Sequence, residues 1–219
     1  MDHDHDTVPA TPFLARRAEV LAAGTSSTDS AFSLVDASLK DTDPFIRVTA
    51  LGALNAQGRL TGDVLIAALN DEAPEVRLRA AQLSPKAVGR GSRRRLAEEL
   101  RFRLTDHVPI CLVAVLVAIA DRQDHGSAVA LCTLAATHRD PLVIEEAVAT
   151  LGALGDEIGL DTVLAATTGK PALRRRAVAA LGGFSGARVE EALDRLANDR
   201  DWQVRQAVAM LRRGDEADH

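Results

Sequence analysis

The sequence has few aromatic residues, with no tyrosine, one tryptophan and five phenylalanines among 219 residues. Base-stacking surfaces and aromatic ligand cages need several converging rings, so the composition counts against both. Cysteine is equally scarce, and Cys111 and Cys132 both lie among apolar neighbours. Because no export signal is recognisable, we expect reduced thiols in a cytoplasmic protein rather than a disulfide.

Lysine is scarce as well, with 3 lysines against 23 arginines. This bias, together with abundant alanine, valine, aspartate and glycine, predicts a bacterial gene of high GC content. The chain also lacks a membrane-spanning run. Its apolar run VPICLVAVLVAIA, residues 108–120, would make a helix of roughly 20 Å against a hydrocarbon core of about 30 Å. We therefore expect no membrane partner.

The known motifs of catalysis are missing too. The sequence has no G-x-S-x-G, and TTGKP at 167–171 lacks the upstream glycine and the hydroxyl residue of a phosphate-binding loop. Neither cysteine has a base nearby in sequence. The segment DHDHD at 2–6 is more typical of a solvated tail than of a metal site. We expect no enzymatic activity, no metal site and no cofactor.

The sequence does contain a repeat of helical periodicity. Five of its eight prolines fall 30 to 35 residues apart, and a tryptophan continues the series after 31 residues. Because proline suits the first turn of a helix, each of these positions, called slots below, is predicted to begin a helix. The slots are Pro44, Pro74, Pro109, Pro141, Pro171 and Trp202. We expect the tryptophan to pack the last repeat.

Aspartate and arginine recur at fixed sequence distances from the slots, and the two sets are called the aspartate and arginine columns below. An aspartate stands three residues before four of the six slots, and an arginine stands three residues after four of them. The eight residues are Asp41, Asp71, Asp106, Asp199, Arg47, Arg77, Arg174 and Arg205. The third and fourth repeats depart from the pattern, with Leu112 and Ile144 at the arginine position and His138 at the aspartate position. We therefore expect the series of polar contacts that these aspartates and arginines form between neighbouring repeats, called the ladder below, to be interrupted in the third and fourth repeats.

The pattern D-x-x-P-x-[IV]-R-x-x-A, present as DTDPFIRVTA and DEAPEVRLRA, resembles HEAT repeats, in particular the bacterial type named for phycobilisome lyases. The resemblance covers residues 28 to 213. It implies an all-α solenoid of about six antiparallel helical hairpins, wound as a HEAT-like superhelix. It also implies that the aspartate and arginine columns form a structural ladder and that the proline-led helices line the concave face.

We predict a single HEAT-like repeat domain over residues 12–213, with an N-terminal capping helix at about 12–23. Its repeats span about 28–55, 62–84, 92–121, 126–154, 157–183 and 187–213. Residues 1–11 are predicted to form a disordered acidic tail, and residues 214–219 a second disordered tail. The longest spacing between slots, 35 residues, places an insertion at 84–92, SPKAVGRGS.

The candidate binding residues are those whose repeat positions face the concave side. They are Arg79, Ile110, Val113, Ala114, Val117, Glu145, Glu146, Arg175, Arg176 and Gln206. The four between 110 and 117 are apolar where other repeats carry Glu, Arg or Gln. They either form an apolar patch for a partner or lie beneath the insertion.

These observations predict a non-enzymatic scaffold that binds another protein through its concave face. HEAT-repeat deoxyhypusine hydroxylases hold two irons with paired His-Glu motifs, and this sequence has no His-Glu dipeptide. Two alternatives stay open: a nucleic-acid binding or base-repair protein, suggested by the arginine clusters, and an accessory subunit of the lyase type. The mixed charges of the predicted groove favour a protein partner. The oligomeric state is not predicted.

Overall fold

The computed structural model describes residues 12–89 and 91–217, which leaves the predicted tail at 1–11 outside the described residues. Within the described ranges the chain forms thirteen α-helices and no β-strand beyond one isolated bridge between Thr61 and Val88. The helices are α1 Pro12–Ala23, α2 Asp29–Ser38, α3 Pro44–Ala56, α4 Gly62–Leu69, α5 Pro74–Leu83, α6 Arg93–Phe102, α7 Pro109–Asp121, α8 Ala128–Thr137, α9 Pro141–Leu154, α10 Leu160–Ala166, α11 Pro171–Leu181, α12 Ala187–Leu196 and α13 Trp202–Ala217.

Every slot of the repeat begins a helix. Proline occupies the first turn of α3, α5, α7, α9 and α11. The residue before each proline is extended, as at Asp43 with φ −85° and ψ 119°, because the proline ring disfavours a helical conformation there. The carboxylate of Asp43 also accepts a hydrogen bond from the N–H of Phe45 at 2.8 Å, which caps α3. The predicted all-α repeat fold is confirmed.

The chain divides into two compact units, the first ending at Leu96 and the second beginning at Ala97. In the first unit, α2 with α3 and α4 with α5 form helical hairpins, and α1 packs on α2 and α3. The side chains of Ile46, Leu51 and Leu54 on α3 are almost fully buried between these neighbours. The helix α1 thus covers one side of the first repeat.

The predicted insertion at 84–92 lies within the first unit. Ser84–Lys86 forms a 3₁₀ turn, and the N–H of Val88 then donates to the carbonyl oxygen of Leu60 at 2.8 Å. The hydroxyl of Ser92 donates to the carboxylate of Asp63 at 2.8 Å. The inserted segment therefore lies against the turn that joins α3 to α4.

In the second unit, α8 with α9, α10 with α11 and α12 with α13 form three hairpins. The slot helices α7, α9, α11 and α13 lie side by side in that order. Six side chains of the apolar run in α7 are almost fully buried: Cys111, Leu112, Val115, Leu116, Ala118 and Ile119. Packing between neighbouring helices thus accounts for most of the run, and no helix of the described residues is both long and apolar enough to cross a membrane.

A glycine allows α9 and α11 to approach each other closely. A Cβ atom placed on Gly152 would lie 2.6 Å from the Cβ of Ala180, closer than two side chains can come. Gly155 then ends α9 in the left-handed conformation with φ 61°, which favours glycine. These two glycines adapt the end of α9 to its neighbour.

Two features differ from the sequence-based expectations. The helix α13 continues to Ala217, because the sequence after Arg213 contains no proline and the single Gly214 does not end the helix. Trp202, expected to pack the last repeat, is largely exposed at the start of α13.

Candidate functional site

The first complete charged pair joins two repeats of the first unit. The guanidinium of Arg47 donates from Nε and Nη2 to the two carboxylate oxygens of Asp71, at 2.9 and 2.6 Å. Its Nη1 donates to the carbonyl oxygen of Asp41 at 2.7 Å, in the turn before its own helix. The bonds to Asp71 raise the pKa of Arg47, against the lowering effect of burial. Arg47 therefore fixes its own turn and the next repeat together.

The same arrangement recurs in the second unit. Arg174 donates from Nε and Nη2 to Asp199 at 2.8 and 2.7 Å, and from Nη1 to the carbonyl oxygen of Gly169 at 2.8 Å. The side chains of Arg174 and Asp199 are 7% and 11% exposed. The hydrogen bonds from Arg174 hold the pKa of Asp199 below its ordinary value, although burial raises it. A bidentate pair of this kind is stronger than a surface ion pair.

The aspartate column has a second role inside each turn. The carboxylates of Asp41, Asp71, Asp106 and Asp199 each accept a hydrogen bond from the backbone N–H two residues later, at 2.8 to 2.9 Å. Such a bond stabilises a tight turn locally. In the fourth repeat the Nδ1 atom of His138 takes this role and accepts from the N–H of Asp140 at 3.1 Å. The fourth repeat therefore keeps the same hydrogen bond in its turn, although a histidine replaces the aspartate.

Apolar side chains occupy the arginine position between these two charged pairs. Leu112 is buried in α7, and Ile144 is half-buried in α9. Ile144 lines a cavity of about 390 Å³ with Val148, Ala165 and Leu173. The seams after α7 and α9 are therefore packed by apolar side chains rather than by an arginine and an aspartate.

The other arginines of the column bind their own turns. Arg77 donates from Nη1 to the carbonyl oxygens of Asp71 and Glu72, both at 3.0 Å. Arg205 donates from Nη1 to those of Asp199 and Arg200, at 2.7 and 3.2 Å. Every arginine of the column therefore closes the turn that precedes it.

Sequence reasoning missed one member of the charged series. Arg16 of α1 forms an ion pair with Asp41, so the capping helix supplies the arginine that the first repeat needs. A signal was present, because Arg16 precedes Asp41 by 25 residues (41 − 16), the same separation as between Arg174 and Asp199. It was missed because Arg16 follows Pro12, which lies 32 residues before Pro44 (44 − 12), by four residues instead of the three that separate each slot from its arginine.

The predicted apolar patch on α7 is only partly exposed. Ile110 and Val117 are 56% and 41% exposed, and Val113 is half-buried. Ala114 is 8% exposed, so it adds almost nothing to the exposed patch. At this position, five residues after Pro109, α7 lies so close to neighbouring helices that they cover the small side chain of Ala114.

Leu142, which sequence reasoning missed, extends this patch onto α9. Its side chain is 65% exposed, and it follows Pro141 directly, as Ile110 follows Pro109. The shared position after the slot is the signal that could have identified it.

Charged residues continue the same row of helices. Arg176 of α11 lies 3.3 Å from the carboxylate of Glu146 on α9, and Arg175 donates to the side chain of Gln203 on α13. Glu145, Arg175 and Arg176 line a shallow cleft of about 280 Å³ whose other walls are alanines. Gln206 is exposed on α13. The second unit therefore brings apolar, acidic and basic side chains onto adjacent helices.

The remaining candidate, Arg79, lies on α5 in the first unit. It is half-buried, and its Nη2 atom lies 3.4 Å from the position that a Cβ of Gly52 would take. The other nine candidates all lie in the second unit.

Comparison with known proteins shows the fold but not a family. No protein-family model matches the chain, and no curated protein matches it significantly. Among solved structures, an engineered protein is 18% identical with a TM-score of 0.59, covering 83% of this chain and 94% of its own. The Escherichia coli protein YibA is 10% identical with a TM-score of 0.61, covering 94% of this chain and 76% of its own.

A designed armadillo repeat protein, solved in complex with the peptide (KR)4, is 15% identical with a TM-score of 0.52. The match covers 88% of this chain and 96% of the designed protein. At these identities the similarity concerns the fold alone, and it places the chain among helical repeat proteins.

Proposed function

We propose that the chain is a non-enzymatic scaffold that binds another protein through the row of slot helices in the second unit. The observation that carries this proposal is the exposure of aliphatic side chains on two adjacent helices of that row. The proposed surface, called the slot-helix surface below, consists of Ile110, Val113, Val117, Leu142, Glu145, Glu146, Arg175, Arg176 and Gln206. Under the resemblance to HEAT repeats, this is the concave side.

The chemistry of the slot-helix surface favours a protein partner over a nucleic acid. Exposed aliphatic groups such as Ile110 and Leu142 gain free energy when a partner removes them from water. The pairing of Arg176 with Glu146 leaves little net positive charge for a phosphate backbone. The designed armadillo repeat protein with its bound peptide supports the idea that a fold of this class holds a polypeptide.

We further propose that the repeats are of the HEAT type found in bacterial phycobilisome lyases and that the protein acts in the bacterial cytoplasm. The support is the sequence pattern around Pro44 and Pro74, with its aspartate before and its arginine after the proline. The pairing of Arg47 with Asp71 agrees with the structural role that the resemblance assigns to these columns.

The test compares two double variants, each of which replaces one exposed isoleucine and one exposed valine by aspartate. Ile110→Asp with Val117→Asp places two charges on the slot-helix surface. Val129→Asp with Ile158→Asp places two charges at exposed aliphatic positions on α8 and the turn before α10. We expect affinity capture from the source organism, read by mass spectrometry, to lose its partner with the first pair only. The proposal is wrong if both variants keep helical circular dichroism and capture the same proteins as the wild type.

Nucleic acid is tested with the same variants. Binding of a fluorescent DNA or RNA duplex that survives Ile110→Asp with Val117→Asp, but is lost on Arg175→Gln with Arg176→Gln and falls steeply with salt, would replace the protein partner by a nucleic acid.

A further inference from the structure

Arg205 is held in the conformation that other arginines of its column use to bind a carboxylate. Its Nη1 donates to the carbonyl oxygens of residues 199 and 200, just as Arg47 donates to those of residues 41 and 42. In Arg47 and Arg174 the two remaining donor atoms, Nε and Nη2, hold both oxygens of an aspartate from the following repeat. Within the described residues, the Nε and Nη2 atoms of Arg205 contact no carboxylate.

The surroundings of Arg205 also differ from those of its counterparts. Four residues further along the helix, Leu51 and Val178 are buried by the next repeat, whereas Ala209 is exposed. Seven residues further along, Leu54 and Leu181 are buried, whereas the chain has Arg212, which pairs with Asp194. The outer face of α13 therefore lacks the two large buried apolar side chains that α3 and α11 carry at these positions, yet the arginine that would hold an aspartate is kept.

The charge around Arg205 favours an acidic ligand. Arg200 and Arg213 are exposed in the same repeat. Of the two aspartates in the turn before α13, Asp199 is already held by Arg174, and Asp201 accepts a hydrogen bond from the N–H of residue 203. A guanidinium whose orientation is fixed loses little conformational entropy on binding, so it suits bidentate recognition of a carboxylate.

We propose that Arg205 is a docking site for an aspartate of another protein, presented in a tight turn before a helix as Asp71 and Asp199 are presented in this chain. A second copy of the chain does not fit this role, because its four turn aspartates are already engaged. Asp41, Asp71 and Asp199 bind Arg16, Arg47 and Arg174, and Asp106 also has a partner within the chain. The partner is thus a different protein that carries such a turn, and this contact is separate from the slot-helix surface.

The experiment uses the full chain labelled with ¹⁵N and observes the arginine Nε–Hε resonances by NMR. The probe is a synthetic peptide copying residues 70–80, NDEAPEVRLRA, whose second residue is the turn aspartate. The control peptide differs only by Asp71→Asn. We expect the aspartate peptide to shift the Arg205 resonance saturably, with a dissociation constant on the order of 1 mM. We expect the asparagine peptide to bind roughly tenfold more weakly or not at all.

Three outcomes decide the proposal. An Arg205 resonance that does not move, or that moves equally with both peptides, overturns it. A shift with protein concentration alone, together with a dimer mass by light scattering, would show that a second copy occupies the site and would also overturn it. Weaker binding of the aspartate peptide to Arg205→Lys, followed through the backbone amide resonances of residues 200–206, supports it, because the point charge of lysine cannot bind two oxygens in parallel. Because Ile110→Asp with Val117→Asp leaves Arg205 intact, this variant should still bind the peptide even if the proposed function fails.

Discussion

At the scale of single residues, each turn aspartate has two separable tasks. Asp199 stabilises its own turn by accepting from the N–H of residue 201, and it binds Arg174 of the preceding repeat. His138 performs only the first task, and the arginine position of the repeat before it holds the buried Leu112. The chain thus contains both a charged and an apolar solution to the same packing problem.

The arrangement with Leu112 at the arginine position and His138 at the aspartate position should also be tolerated where Arg174 and Asp199 now form a charged pair. Arg174→Leu leaves the largely buried carboxylate of Asp199 without its partner, and we expect it to lower the free energy of unfolding by about 3 kcal/mol. Adding Asp199→His reproduces the Leu112 and His138 pair, so the double variant should lose less than half of that amount. Urea unfolding followed by circular dichroism measures both, with Asp199→His alone closing the cycle. Equal losses in the single and double variants would contradict the prediction.

The pair of Arg174 and Asp199 also predicts that the free energy of unfolding depends on pH. The pKa of Asp199 is lowered in the folded chain, so its pairing stabilises the fold above its unfolded value of about 4 and loses this effect as the pH falls through and below that value. Arg174→Leu removes the effect at every pH. The difference in unfolding free energy between wild type and Arg174→Leu should therefore be constant from pH 7 to 5 and shrink between pH 4 and 2. A difference that stays constant down to pH 2 would show that the pair is not its source.

At the scale of helices, the repeat spacing was enough to predict where the elements begin. A proline fixes φ and cannot continue a preceding helix, so the slots gave the first residue of five helices from sequence alone. Exposure depends instead on the separation of helices, which no single helix determines. That is why the burial of Ala114 could not be decided from the sequence and Leu142 was missed. The Arg16 pair was missed because it depends on how α1 packs against the first repeat.

Helix separation can be tested at Gly152. A methyl group there would overlap Ala180, so Gly152→Ala should push α9 and α11 apart and destabilise the chain by roughly 1–3 kcal/mol. Gly214→Ala is the matched control. A Cβ at Gly214 meets nothing within 4 Å, and alanine favours a helix interior by roughly 0.5–1 kcal/mol over glycine. Thermal unfolding should move in opposite directions for the two variants. If Gly152→Ala leaves the unfolding temperature unchanged, α9 and α11 can move apart without a loss of stability.

At the scale of the whole molecule, each helix depends on the helices that flank it. In the second unit α9 packs against α7, α8, α10 and α11, whereas the main neighbours of α13 are α11 and α12. In the first unit α3 holds the corresponding central place, between α1, α2 and α5. Stability in such an architecture is approximately a sum over neighbouring contacts, so it should vary along the chain.

This variation is measurable by hydrogen exchange. We expect amide protons of α9 to exchange most slowly in the second unit, and those of α3 most slowly in the first, because opening either helix breaks contacts on both sides. Amides of α13 should exchange faster than those of α9. Mass spectrometry of peptic fragments at neutral pH provides the comparison. Equal protection of α9 and α13 would indicate one cooperative unfolding unit in place of a graded one.

The positions of Arg174 and Asp199 have a consequence for how such a gene can change in length. Both residues lie between one slot and the next, Pro171 and Trp202, and Arg47 and Asp71 lie likewise between Pro44 and Pro74. A duplication or deletion whose ends fall at two slots therefore adds or removes both members of a pair. Unequal recombination at these points never leaves a buried charge without its counterion, which would be its most damaging result.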